Sequence, residues 1–259
     1  MTLKKTKPNY KDLTKLMFTN GNPKTDKNLK IESLKKYWIK RLNLAPASIS
    51  GFNTCASASQ GCKEACLHEA GNPVFMPQKT LGRVNRTQLY FKDRAKFLSM
   101  ITREIRNHEI NCNKHGLKPV VRLNTTSDIM WENHKIFELF PKTQFYDYSK
   151  HFKRMLKYLK GDMPKNYHLT FSMSEDNKDI CLDMLKAGKN VAMVFGIKKS
   201  KPLPNEYMGF KVINGDETDL RFLDDDNVIV GLKYKMIMTQ GQGFNKEQIE
   251  TNDFIITDF

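Results

Sequence analysis

Three of the five cysteines fall within twelve residues, at Cys55, Cys62 and Cys66. They sit in the stretch NLAPASISGFNTCASASQGCKEACLHEAGN, Asn43 to Asn72, with the spacing C-x6-C-x3-C. Thiolates are soft ligands that select iron–sulfur clusters, zinc and copper(I). The flanking residues are small: Ala56, Ser57, Ala58, Ser59, Gly61 and Ala65. Small side chains let a backbone wrap closely around an object and turn its amides toward it, the setting in which iron–sulfur clusters are held. Three thiolates with no evident fourth point to a [4Fe–4S] cluster with one open iron. A metal completed from elsewhere in the chain is the alternative. Zinc sites pair C-x2-4-C knuckles. Cys62 and Cys66 could form one such knuckle, but Cys55 and His68 would have to complete it at unusual spacing. A set of thiols without metal is the third reading.

The remaining cysteines read differently. Cys181 lies in the apolar run ICLDML and is expected to be a buried apolar residue. Cys112 lies in a polar stretch. Either of them, or His68, is a candidate fourth ligand. An odd number of cysteines, three of them clustered, argues against a disulfide framework and for metal binding in a reducing compartment. Motifs of other chemistries are absent: no G-x-S-x-G, no G-x-x-x-x-G-K-[ST], no G-x-G-x-x-G, no H-E-x-x-H. The glycines around Gln242 read as a loop, and Asp224-Asp225-Asp226 as a solvated turn.

What must position the cysteines is a β-α framework. Strand patterns occur at Val120–Asn124, Gln144–Tyr148, His168–Ser172, Val191–Phe195, Met208–Ile213 and Val228–Leu232. Helical patterns fall between them at Trp131–Phe140, His151–Lys160 and Asp176–Ala187. Upstream, helices are expected over Tyr10–Phe18, Lys30–Leu42 and Asn85–His108, and from Lys63 to Ala70. Alternation of this kind gives an α/β fold with a mostly parallel sheet. The expected form is a partial (β/α) barrel of about six strands. Ligands of such sheets bind at the carboxyl ends of the strands. The polar residues gather there: Asn124, Ser127 and Asp128, then Asp147, then Ser172, Ser174 and Glu175. These are the candidate substrate- or cofactor-binding residues. The third strand alternates His168, Thr170, Ser172 and Ser174 with Leu169, Phe171 and Met173, which suits a polar lumen facing a ligand.

The chain has 259 residues and a net charge of +15. Its first 45 residues carry 12 Lys and Arg against 3 acids. Residues 1–42 therefore read as a basic arm and helix, and 43–259 as the cluster-binding domain. A basic arm can contact nucleic acid, which makes a nucleic-acid-binding protein with a structural metal the main alternative function. A solvated surface explains the charge equally well. No apolar run is long enough to span a membrane and no secretory h-region opens the chain, so a cytoplasmic location is expected.

The segments NLAPASISGFNTC, GCKEACLHEAGNP, RLNTTSDIMWE, QFYDYSK, YHLTFSMSE and VINGDETDLRFLD together resemble the phage-encoded gene product 88 family, from about Asn43 to the C-terminus. The resemblance implies a bacteriophage protein acting in an infected bacterium, and little about activity. A second resemblance is to radical S-adenosylmethionine enzymes, whose partial barrel carries a three-cysteine cluster with the cofactor on the open iron. It implies Cys55, Cys62 and Cys66 as ligands and S-adenosylmethionine as cofactor. The spacing departs from the C-x3-C-x2-C usual there, and Ala65 stands where an aromatic residue usually precedes the third cysteine. An enzyme of this kind would use the cluster to deliver an electron or as a Lewis acid. An electron-transfer or redox protein, with an electron donor as its partner, is the remaining reading.

Overall fold

The computed structural model describes residues 9–14, 18, 30–68, 77–235 and 249–259. Nine strands are present among the described residues: β1 (Tyr37–Arg41), β2 (Lys118–Arg122), β3 (Gln144–Ser149), β4 (Tyr167–Ser172), β5 (Val191–Phe195), β6 (Glu206–Tyr207), β7 (Phe210–Asn214), β8 (Ile229–Lys233) and β9 (Ile255–Ile256). The helices are α1 (Gln60–Glu64), α2 (Pro77–Lys92), α3 (Arg94–Lys114), α4 (Ile136–Leu139), α5 (Phe152–Leu159) and α6 (Lys178–Lys186).

The sheet runs β1-β2-β3-β4-β5-β8-β7-β6, with β9 also pairing β5. Every pairing is parallel except the β6–β7 hairpin. The sheet is open, with β1 and β6 at the two ends of the path. From β1 to β5 each crossover moves one strand in the same direction. Right-handed crossovers then place the intervening helices on one face.

Alternation along the strands assigns the two faces. Val121, Leu123, Phe145, Leu169, Phe171 and Met193 join Phe97, Ile101, Ile105, Trp131, Phe137 and Met155 in the main core under the helices. On the opposite face Ile39, Val120 and Tyr146 pack with Leu220. That face is covered by the segment between β7 and β8, whose turn Arg221–Leu223 lies against β4. The covering contact is ionic. Asp219, fully buried, pairs with Arg122 at 3.1 Å and accepts a hydrogen bond from the Tyr146 hydroxyl at 2.8 Å. The polar face of β4 is thus not an empty lumen along its length, because Arg221 and its neighbours occupy much of it.

Four expectations are corrected. Lys30–Leu42 is not a helix: a short 3-10 turn (Glu32–Leu34) leads into β1. The residues Tyr37-Trp38-Ile39 are aromatic and β-branched and suit a strand. Ile39 faces Val120, whereas Trp38 faces the other way onto His108 of α3. The strand pairs residue for residue with β2, so residues 37–41 belong to the sheet rather than to an arm. Asn85–His108 is two helices, because Asp93 caps α3 by accepting from the Lys96 amide at 3.0 Å. The helix expected from Lys63 starts at Gln60 and ends at Glu64. Residues 9–14 form a turn rather than the start of a helix. The described parts of the basic arm lie along α3. Arg103 donates to the Thr14 carbonyl at 2.6 Å, and the Phe18 amide donates to Glu104 at 3.1 Å. The glycine loop around Gln242 lies outside the described residues.

Candidate functional site

The cysteine loop leaves β1 at its carboxyl end and lies over the carboxyl ends of the neighbouring strands. Cys55, Cys62 and Cys66 line one cavity of about 220 Å³. Its other walls include Arg122, Asn124, Asp128, Tyr148, Lys150, Ser172, Asp216 and Phe254. Cys112 and Cys181 take no part in it. Cys112 is buried on α3 beside His108, its Sγ 3.6 Å from the ring Nδ1, and Cys181 is buried on α6. His68 is also outside the cavity walls and is engaged by Arg83 at 2.5 Å. Burial and that guanidinium hold His68 down to about pKa 4, so it is neutral. All five cysteines are free thiols.

Two devices fix the loop. The first is around Cys55. Its Sγ receives the Ala47 amide at 3.5 Å and lies 3.7 Å from the Thr54 hydroxyl. Ala47 adopts a left-handed conformation, φ 44°, which is strained for a residue with a Cβ. Thr54 in turn donates to the Ala45 carbonyl at 2.7 Å. The second device is around Cys62. Glu175, just past β4, accepts from Ser59 Oγ at 2.6 Å and from the Gly61 amide at 2.7 Å. Ser59 caps α1, accepting from the Cys62 amide at 3.3 Å. The C-terminal segment closes the other side: Asn252 donates to the Gly61 carbonyl at 3.2 Å, and Phe254 packs with Cys62 and Ala65. A Cβ on Gly61 would stand 2.4 Å from Asn252 Oδ1 and 2.8 Å from Phe254 Cβ. Gly61 is small because three segments meet at it. Its amide serves Glu175, not the space between the cysteines.

The candidate ligand-binding residues separate into two groups. Ser172 and Asp128 line the cavity, as do Asn124 and Ser127. Asn124 and Ser127 are buried and internally satisfied. Asn124 Oδ1 accepts from Ser127 Oγ, the Ile129 amide and Trp131 Nε1 at 2.9–3.1 Å. They shape the loop after β2. Asp147 is turned to the helix face, 1% exposed, and accepts the Asn124 amide at 2.7 Å. Burial pushes its carboxyl up to about 7, against the pull of Arg154 and of that amide. Arg154 is a buried hub for Glu132 at 2.9 Å, Asp128 at 3.3 Å and Asp147 at 3.9 Å. Ser174 is buried, with its amide bonded to Asn177 Oδ1 at 2.7 Å, and does not line the cavity. Glu175 belongs to the cysteine clamp. Burial acts to raise its carboxyl, but the hydrogen bonds from Ser59 and Gly61 outweigh that and hold it below the usual carboxylate range.

Sequence reasoning did not single out Arg154, Phe254 or Asn252 as parts of this region. Arg154 sits in a basic helical pattern like any solvated one. Phe254 and Asn252 come from the far end of the chain, and only the β5–β9 pairing brings them in.

Burial, with the nearby Asp128 and Cys62, pushes the Cys55 thiol up despite the Ala47 and Thr54 contacts. A thiol of this kind is a poor free nucleophile. It loses its proton when a metal supplies positive charge. Among the described residues, no three His, Cys, Asp or Glu side chains converge on one metal-ion position. A closed zinc knuckle is therefore not formed by the loop as it stands. A four-iron cube makes a different demand, because each thiolate binds its own iron and the sulfurs stand apart around it. The three cysteines line one cavity, and no metal-binding group is formed there among the described residues.

The fold and site define an open, mostly parallel α/β protein with a three-cysteine loop at the carboxyl edge of its sheet. The family model of gene product 88, a phage family, matches residues 14–249, and the chain belongs to that family. The chain matches no curated protein and no solved structure. No helix among the described residues is long and apolar enough to cross a membrane.

Proposed function

We propose that the chain is an iron–sulfur protein in which Cys55, Cys62 and Cys66 hold a [4Fe–4S] cluster with one iron open toward the cavity. One observation carries this reading: three thiols, and no other cysteine, line a single cavity at the carboxyl ends of parallel strands. Such a cluster supplies an electron or a Lewis-acidic iron to whatever occupies the cavity. The chain's own residues do the rest. Glu175, Ser59 and Asn252 hold Cys62 in place, Ala47 and Thr54 hold Cys55, and Phe254 shields the cavity from one side. Lys150, Tyr148, Arg122 and Ser172 present donors to the ligand.

A radical-enzyme-like reaction is the finer form of the proposal. The run of parallel strands β1 to β5 and β8, with the cysteines directly after β1, is what supports it, in an open sheet rather than the expected six-stranded partial barrel. S-adenosylmethionine is the cofactor proposed on that ground. The cavity is compact for it, below the roughly 300–1,000 Å³ of drug-sized sites, so its binding requires the walls to open.

Anaerobic reconstitution with iron and sulfide tests the reading. The wild-type chain and a C112S control should gain broad visible absorption and equal amounts of iron and acid-labile sulfide. C55S, C62S and C66S should each lose most of both. Equal iron uptake by all four variants would remove the three-cysteine assignment.

A further inference from the structure

We propose that the cavity floor opposite the cysteines is a subsite for a small anion, a carboxylate or phosphoryl group carried by the ligand. The inference rests on the reading of this cavity as the ligand site, but not on the cluster.

Parallel register builds the floor. Tyr148 and Lys150 lie two residues apart at the end of β3 and so share a face. Ser149 pairs with Phe171 across β3–β4, so Lys150 stands beside Ser172. Arg122 ends the neighbouring strand β2, with its guanidinium 4.5 Å from the centre of the Tyr148 ring. All four residues line the cavity. Lys150 Nζ donates to Ser172 Oγ at 3.0 Å and sits 5.0 Å from the centre of the Phe254 ring. Both partners are uncharged, and no carboxylate among the described residues forms an ion pair with it. The acids nearby are engaged by other groups: Glu175, whose charge Lys150 helps to hold, accepts from Ser59 and the Gly61 amide. Asp128 accepts from Ser149, from the Lys150 amide and from Arg154. Asp216 accepts the Lys233 amide at 3.0 Å.

Two further donors are buried with no hydrogen-bond partner among the described residues: the Tyr148 hydroxyl and Arg122 Nε. Buried donors left unpaired are costly and mark a place where a partner belongs. An ammonium, a phenol and a guanidinium nitrogen are all donors; Asp219 already pairs the Arg122 guanidinium, so the cation of the floor without an ion pair among the described residues is Lys150. The group that satisfies them is an anion rich in acceptor oxygens. Carboxylate and phosphate share that chemistry.

The test is a calorimetric titration of the full metal-free chain at fixed ionic strength, with inorganic phosphate in one arm and acetate in the other. Saturable binding in one arm identifies the source of the anion. K150M should weaken that binding roughly ten- to a hundredfold, as expected for loss of a charged hydrogen bond. Y148F should weaken it less. K211M, a pair with Asp225 on the exposed β7 strand, should bind as wild type. Absence of saturable binding in both arms, or wild-type affinity in K150M, overturns the proposal. Thermal unfolding of each variant separates loss of the site from loss of the fold. Iron uptake by the same chains is read separately. A chain that binds the anion but no iron keeps this subsite and sinks only the cluster.

Discussion

Gly61→Ala isolates the packing that holds the cysteine loop. The added methyl would meet Asn252 Oδ1 at 2.4 Å, Phe254 Cβ at 2.8 Å and Glu175 Oε1 at 3.0 Å. None of the three can swing away freely. Asn252 Oδ1 accepts the Phe254 amide, and Glu175 Oε1 accepts the Gly61 amide itself. Overpacking of this kind costs about 1–3 kcal/mol. Loosening the hydrogen bonds of Gly61 to Glu175 and Asn252 adds about 1 kcal/mol each. Alanine gains back about 1 kcal/mol of helix propensity within α1. The net is a loss of roughly 2–4 kcal/mol, or roughly 4–16 °C in Tm at this chain length. Gly82→Ala is the comparison, because its methyl meets only the flexible end of Arg86 at 3.4 Å. It should be neutral or stabilise by up to about 1 kcal/mol. Thermal unfolding followed by circular dichroism reads both, and amide exchange over residues 249–259 should rise in G61A alone. Equal Tm for the two variants would refute the three-segment junction at Gly61.

Other expectations follow from the buried charges. Folding lowers the Glu175 carboxyl pKa, because the hydrogen bonds from Ser59 and Gly61 outweigh burial. Its contribution is therefore complete above the unfolded carboxyl value of about 4.3 and is lost as pH falls through the folded value. E175Q should flatten that acid limb of the stability–pH curve, and an unchanged limb would count against the clamp. Arg154→Met strands Glu132, Asp128 and Asp147 around an apolar side chain. It should cost about 3–5 kcal/mol in urea unfolding, and a loss under about 1 kcal/mol would mean the carboxylates find water instead.

Much of the sheet was legible because its strands announce themselves. Gln144–Ser149, Tyr167–Ser172 and Val191–Phe195 are short β-branched or aromatic runs bounded by turns, and each lies within a residue of its expected limits. β1 was not legible. Ile31, Leu34, Trp38 and Leu42 have helical spacing, and only the pairing with β2 shows that Tyr37–Arg41 alternates instead. The cysteine cavity was legible from spacing and from the rule that ligands bind at strand carboxyl ends. The roles of the polar residues around it were not. Asn124, Asp147 and Ser172 look alike as polar residues near strand ends. Their separation into loop framework, helix-side ion network and cavity wall depends on which face each occupies and on Arg154 of α5. Glu175 stands just past β4, and nothing local ties it to Ser59, more than a hundred residues earlier.

The central claim is a cluster on three cysteines with one iron left open. The most direct measurement is a Mössbauer spectrum of the full chain reconstituted anaerobically with isotopically enriched iron. About four irons per chain are expected, one of them distinct from three that resemble each other. A bound zinc ion without sulfide, or a cluster whose irons are all alike, would contradict it.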